Sequence, residues 1–427
     1  MNVEAHTLAR LAIDGGKPVR TGPWYPTFHG PEEIGDEEKA AVLRVLDKKR
    51  LFRYLANGID DSEAARLEAK YREFIGVEHA LAVNGGTTAL VSAIVGVGVG
   101  PGDEVIVPAY TFIATPAAVL AARGVPVICE VDESLNMDPE DFRRKITPYT
   151  KAVIPVHMRG VPARMDEILA IAREAGIKVV EDVAQANGGM YRGRMLGSMG
   201  DVGAFSLQQY KVITAGEGGM VVSSDATTFA RARMQHDGAA RFWLGSVNVD
   251  TFAGENYRIS ELAAAVALAQ FDRMAGILGR LRATKHRIAA GLAGVAGVRL
   301  QDVPDPEGEC GVTAIFFCPS AEGAKRASAA LKAEGIYNGT VYDNTIPDRH
   351  IYVNWDYVLA KRSATPAGCP WSCGAYKGNV TYAPDMCPRS LDLLGRAILI
   401  PLHQYMGPDD ADAVVEGVLK VAAAILA

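Results

Sequence analysis

From about residue 62 onward, short apolar runs alternate regularly with helix-spaced segments, and this alternation restricts the chain more than any other feature. Residues 80–83, 104–107, 125–130, 151–157 and 177–180 read as strands. Between them, 87–97, 114–122, 139–146 and 165–175 carry apolar residues at helical spacing, as 62–74 does before the first strand. Strand–helix units of this length need right-handed crossovers, which makes the strands mainly parallel. Runs that are apolar throughout suit strands covered by helices on both faces. The expectation is an α/β fold built on a large, mainly parallel mixed sheet.

After a further strand at 218–223 the character changes. A long helical stretch, 259–293, is expected to break near Gly276 and Gly279. It leads to a smaller α+β unit with strands at 298–303 and 311–318 and helices at 321–334 and 408–426. Residues 344–388 are rich in Pro, Gly and Cys and lack periodicity, so a long structured loop near the substrate pocket is expected there. A chain of 427 residues exceeds one ordinary hydrophobic core. The expected division is an N-terminal arm (1–30), a large domain (31–275) and a small C-terminal domain (276–427).

A net charge of −6, with no basic run, argues against nucleic acid or an anionic membrane as the main partner. The first residues lack the pattern of a signal peptide, and no uninterrupted apolar stretch reaches about 20 residues. The Ala-rich run at 262–270 reads as a buried helix, so a cytoplasmic protein is expected. The six cysteines read as reduced thiols. Cys369, Cys373 and Cys387 suggest a metal knuckle only loosely, because a fourth ligand is lacking; no metal is expected.

The chemistry centres on two residues. The strand at 177–180 ends in Glu181 and Asp182, and Lys211 precedes a glycine cluster at 216–219. Alone, the lysine would be a solvated surface charge and the aspartate a turn or cap residue. Together they set opposite charges beside apolar strands, with glycines that let backbone approach a ligand closely. Pyridoxal 5'-phosphate enzymes need this pair: a lysine to condense with the cofactor aldehyde and a carboxylate to keep the pyridine nitrogen protonated. The run from Asn84 to Leu90 sits at a strand-to-helix junction and offers backbone N–H groups, hydroxyls and a helix N-terminus to a phosphate. It reads equally as a plain cap through Thr87 or Thr88. Ser206 adds a second hydroxyl. Phe112 or Tyr110, just past a strand end, could stack on the ring; either also reads as a core aromatic.

Several ordered motifs then resemble one family. They are the Asn84–Leu90 run, Gly100 to Val105, Thr111 to Thr115, Val156 to Gly160, Glu181 to Gln185, Thr214 to Gly219, Gly254 to Ser260 and Ile400 to His403. Together they resemble the DegT/DnrJ/StrS sugar and cyclitol aminotransferases from about residue 10 to the C-terminus. The resemblance implies a type I PLP-dependent aminotransferase fold and a homodimer with shared active sites. It implies that Lys211 bonds the cofactor, Asp182 pairs with the pyridine nitrogen and Gln185 lies near the ring's phenolic oxygen. Phe112 takes the stacking position, Gly86, Thr87 and Ser206 hold the phosphate, and Asn256 reaches the phosphate from the neighbouring subunit.

Some members carry His in place of the lysine and act as dehydratases; this chain keeps Lys211. It departs from many members at Gly85, where Ser is common, and in the Gln208-Gln209-Tyr210 context of Lys211. The expected activity is amino transfer from L-glutamate or L-glutamine to a keto sugar, keto sugar acid or oxo-cyclitol. The alternative on the same fold is a PLP-dependent lyase or dehydratase. His157, Arg159, Arg53, Tyr54 and His403 stand in motif or loop positions expected to line the substrate pocket, and Arg159 is suited to a carboxylate or to a structural salt bridge.

Overall fold

In the computed structural model, residues 10–54, 61–244, 249–341 and 347–426 are described. Among the described residues, seven of twelve strands form the main sheet, in the order β1-β9-β8-β5-β4-β2-β3. These are β1 (His79–Val83), β2 (Glu104–Pro108), β3 (Val125–Cys129), β4 (Thr150–Val153), β5 (Lys178–Asp182), β8 (Val202–Ser206) and β9 (Gly219–Ser223). β3, β2, β4, β5 and β8 run parallel, and β9 and β1 close one edge antiparallel. A two-stranded ribbon, β6 (Met190–Tyr191) with β7 (Arg194–Met195), lies apart. A three-stranded antiparallel sheet joins β10 (Arg299–Leu300), β11 (Thr313–Phe317) and β12 (Ala397–Pro401). The α/β class with a mainly parallel mixed sheet is as expected.

The pleat sorts the strand residues between two cores. Val105 and Val107 of β2 join one cluster with Ala152 of β4, Val180 of β5 and Ala204 of β8. Ile106, Val153, Val179 and Phe205 face the other. Both faces are therefore apolar, which explains why these strands read as continuous rather than alternating runs. α3 (Gly86–Gly96) packs on the sheet with Leu90, Ala93 and Ile94 buried. α1 (Asp36–Lys48) and α2 (Glu63–Ile75) lie against the helix Glu261–Phe271.

Several boundaries differ from expectation. The long helical stretch breaks at Asp272 and Arg273, not at Gly276 and Gly279, with 51° between Glu261–Phe271 and Met274–Leu292. Arg273 is pinned there by Glu38, its Nε 2.7 Å from Oε1. Gly276 and Gly279 stay helical on an exposed face. The strand expected over 151–157 is only Thr150–Val153, after which Pro155 interrupts it, leaving Val156 in a single bridge to Asp182. The strand expected over 298–303 is reduced to Arg299–Leu300. Within the described part of the 344–388 segment, short helical turns form at Tyr352–Asn354 and Asp356–Leu359. No single helix among the described residues is long and apolar enough to cross a membrane.

Candidate active site

The C-terminal ends of the parallel strands open onto a cavity of about 770 Å³, lined by Lys211, Asp182, Gln185, Ser206, Phe112 and Arg159 among others. In open α/β sheets this edge is where ligands bind. β5 carries Asp182 as its last residue and β8 carries Ser206 as its last. Pairing of Asp182 with Ala204 puts those two tips side by side.

Lys211 sits in the loop between β8 and β9. That loop is tied across its base by Leu207 N–H to Gly218 O at 2.8 Å and Gln209 N–H to Gly216 O at 3.0 Å. The glycines are needed for approach: a Cβ on Gly219 would lie 2.5 Å from the carbonyl oxygen of Gly85. Burial pushes the Lys211 amine below its ordinary pKa, Asp182 pulls it upward, and Arg159 adds to the depression. No hydrogen bond or ion pair to its Nζ forms among the described residues.

Asp182 is 4% exposed. Its Oδ2 accepts the Thr115 hydroxyl at 2.8 Å and its Oδ1 the Ala184 N–H at 3.1 Å. Burial nevertheless raises its pKa above the ordinary aspartate value, against those two bonds and the charge of Lys211. Thr111 and Thr115 share a further hydroxyl contact at 2.8 Å. Both threonines line the cavity, and neither was expected as a site residue. Their i, i+4 spacing across the first turn of the helix Ala114–Ala121 was the only signal.

The Gly86 and Ser206 junction is tight: a Cβ on Gly86 would lie 2.7 Å from Cβ of Ser206. α3 begins with Gly85 as its cap, and no side chain closes its N-terminus. Capping by Thr87 or Thr88 is therefore not what these residues do. The Thr88 hydroxyl donates back to Gly85 O at 2.9 Å, and Thr87 is exposed to the cavity. The first-turn N–H groups of α3 therefore have no capping side chain among the described residues.

Phe112, not Tyr110, presents its ring: it is 39% exposed within the cavity lining, whereas Tyr110 is fully buried. The Tyr110 hydroxyl instead accepts from Arg159 Nε at 3.3 Å. Arg159 has a left-handed backbone, φ 53°, and its N–H donates to Gln185 Oε1 at 3.1 Å. That bond leaves the Gln185 amide NH2 as a donor. No ion pair to Arg159 forms among the described residues, so the structural salt bridge is not found there.

The other expected pocket residues lie elsewhere. His157 is fully buried, its Nε2 3.2 Å from Glu181 Oε2 and its Nδ1 accepting from Ala163 N–H, so it braces two strand ends and does not line the cavity. Arg53 is 4% exposed, bonded to Glu68 at 2.8 Å, and Tyr54 stacks on Trp243. His403 is buried between Tyr25 and His29. None of these four lines the cavity. Asn256 is exposed outside the cavity lining, bridged to Asp237.

Asp348 and His350 enter the cavity from the segment expected only as a pocket-side loop. Backbone bonds from Thr111 N–H to His350 O, 2.8 Å, and from Tyr352 N–H to Ala109 O, 3.0 Å, fasten that segment along the strand end that bears Phe112.

The sheet order and the site at its carboxyl edge define the type I aminotransferase architecture. The AHBA (3-amino-5-hydroxybenzoic acid) synthase crystal structure superposes with a TM-score of 0.76 at 28% identity, covering 96% of this chain and all of that one. The DegT/DnrJ/EryC1/StrS aminotransferase family model matches residues 32–366, and the chain belongs to that family. It is 42% identical to the GDP-perosamine synthase of Caulobacter vibrioides over 48% of this chain and 56% of that protein. It is 35% identical to the UDP-N-acetyl-3-dehydro-alpha-D-glucosamine 3-aminotransferase of Acidithiobacillus ferrooxidans over 72% of this chain and 80% of that protein. The matched region thus spans little more than half of the first relative's length and four-fifths of the second's.

Proposed function

We propose that the protein is a pyridoxal 5'-phosphate-dependent aminotransferase that moves an amino group from L-glutamate or L-glutamine to a keto sugar, keto sugar acid or oxo-cyclitol. One observation carries the reading: a buried carboxylate, an amine of lowered basicity and an uncapped helix N-terminus meet in a single cavity. The residues fit the cofactor on their own chemistry. Asp182 is held by two neutral donors and has no hydrogen-bonded cation among the described residues, so a pyridinium nitrogen would complete it. The Gly86–Ser206 cradle, which a Cβ would fill, suits a phosphate.

When bound, the cofactor supplies an aldehyde to take up the amine and a ring that accepts the electron pair released with the α proton. Lys211 would hold the cofactor through its Nζ, which burial keeps nearer the neutral form needed to condense with an aldehyde and release water. With the donor in place, the same Nζ would take the proton from the donor α carbon and hand it to the cofactor carbon that bears the nitrogen, so that the amino group stays with the cofactor and the donor leaves as a 2-oxo acid. Asp182 would hold positive charge on the ring nitrogen, Phe112 would stack on the ring and the Gln185 amide would donate to the phenolic oxygen. Gly86, Thr87 and Ser206 would hold the phosphate. Donor and acceptor use the cavity in turn.

We further read the protein as a cytoplasmic homodimer. Asn256 is exposed away from its own cavity, so its expected role at a phosphate needs a second copy. The division into an arm (1–30), a large domain (31–275) and a small domain (276–427) belongs to the same reading. The test is to add L-glutamate or L-glutamine to the cofactor-loaded, yellow protein. Bleaching with one 2-oxo acid formed per site supports the proposal. Persistence of colour with both donors sinks it, and a lyase or dehydratase becomes the better reading.

A further inference from the structure

Asp348 and His350 form a pair that the proposed chemistry does not use. His350 Nδ1 lies 2.7 Å from Asp348 Oδ1, and the same oxygen accepts the His350 N–H at 2.9 Å. The loop is held rigidly: Asn354 Nδ2 donates to Asp348 O at 2.8 Å and Trp355 Nε1 to Arg349 O at 3.0 Å. The imidazole stands 5.3 Å from the Phe112 ring, centroid to centroid, and both residues line the cavity. No hydrogen bond to Nε2 forms among the described residues.

This geometry fixes a chemical polarity. Burial lowers the His350 pKa, the charges of Arg159 and Lys211 act in the same direction, and Asp348 only partly opposes them. The ring is therefore neutral near pH 7. A carboxylate at Nδ1 requires the proton there, which leaves a lone pair at Nε2. That atom accepts a hydrogen bond and donates none.

An amino donor, with two carboxylates in L-glutamate and one in L-glutamine, suits such an atom poorly. Its carboxylate oxygens carry lone pairs and would meet both Nε2 and the negative Asp348. Arg159, with its guanidinium bonded only to the Tyr110 hydroxyl among the described residues, is the group for them. A hydroxylated acceptor brings O–H groups that Nε2 can accept.

We propose that His350, held in one tautomer by Asp348, touches the amino acceptor and accepts a hydrogen bond from one of its hydroxyl groups, while the amino donor does not use it. His350 is thus a specificity-determining residue for polyhydroxylated ketones, and Asp348 is its positioning residue. The inference rests on the aminotransferase reading above. A site built to bond a hydroxyl discriminates strongly against ligands that lack one, because its own polar atom is then left unpaired.

The experiment separates the half-reactions of the cofactor-loaded protein. The donor half uses L-glutamate and L-glutamine. The acceptor half uses scyllo-inosose and UDP-N-acetyl-3-dehydro-alpha-D-glucosamine with the pre-aminated protein, and myo-inositol serves as a hydroxyl-only inhibitor of the donor half. His350→Phe should leave the donor half within about twofold. It should raise the half-saturating concentration of a reacting acceptor at least fivefold, or weaken myo-inositol inhibition by as much. His350→Gln, which keeps an acceptor atom near the Nε2 position, should recover most of the loss. Asp348→Ala should fall between.

Equal losses in both halves would overturn the proposal, as would an unchanged acceptor half. A wild-type protein that neither reacts with nor is inhibited by any of the three hydroxylated probes overturns it as well. Failure of the aminotransferase reading would look different, since the wild-type protein would then lack the donor half altogether.

Discussion

Thr115 donates its hydroxyl to Oδ2 of Asp182 at 2.8 Å, from the first helical turn after the strand end that carries Phe112. This bond couples the stacking side of the cavity to its acidic end. Thr115→Val removes the donor at nearly constant volume. A buried acceptor that loses a partner costs about 1–3 kcal/mol. Denaturant unfolding of the variant should show a loss of that order. Turnover should drop by roughly tenfold, since a less well-solvated Asp182 holds the ring cation less well. Unchanged stability and rate would mean that the threonine is a bystander.

Gly86→Ala tests the phosphate cradle. The added Cβ would stand 2.7 Å from Cβ of Ser206, so helix and strand tip must part. Cofactor titration followed by visible absorbance should show affinity reduced at least tenfold, with the fold intact by circular dichroism. Wild-type affinity would place the phosphate elsewhere.

Arg159→Gln addresses the donor carboxylate. The variant should raise the half-saturating L-glutamate concentration about tenfold or more, the range for losing a charge-assisted bidentate bond. The effect should be much smaller for an amino donor without a carboxylate, such as 1-aminopropane. Equal effects on both amines would argue that the arginine only shapes the loop.

Acid should destabilise the protein earlier than its carboxylates alone imply. His29 and His236 are buried, and desolvation lowers their pKa values to about 4 and about 3 from 6.5. Between those values the unfolded chain binds the extra protons, so stability falls as pH drops below 6.5. For His29 alone the full effect is about 3 kcal/mol. Glu38, held at about 2 chiefly by Arg273 against the opposing effect of burial, adds a loss in the same direction below its ordinary 4.5. Urea midpoints from pH 8 to 4 should slope downward on acidification, and His29→Gln should flatten that slope. A flat wild-type profile would contradict the assignment of neutral buried rings.

The strand–helix succession through Lys178–Asp182 was legible because each apolar run is bounded by turn residues and followed by a helical period. β12 was not, since Ala397–Ile400 continues the apolar pattern of the helix Pro388–Arg396 and periodicity alone cannot divide them. Gly276 and Gly279 drew the expected break because glycine weakens helices. The actual break is set by Glu38, distant in sequence, gripping Arg273. Lys211 and Asp182 stood out by chemical type and reach one cavity. His157 and Arg53 stood out for the same reason, yet each is consumed by a carboxylate, the buried Glu181 or the half-buried Glu68, and no local signal announces such partners. His350 was invisible for the converse reason: only the clamp onto Ala109 and Thr111 brings it to the site.

The most direct test is borohydride reduction of the protein after incubation with pyridoxal 5'-phosphate, followed by peptide mass mapping. A phosphopyridoxyl addition confined to the Lys211 peptide, and lost in Lys211→Ala, is the predicted result. No addition, or addition at another lysine with Lys211 unmodified, would contradict the account.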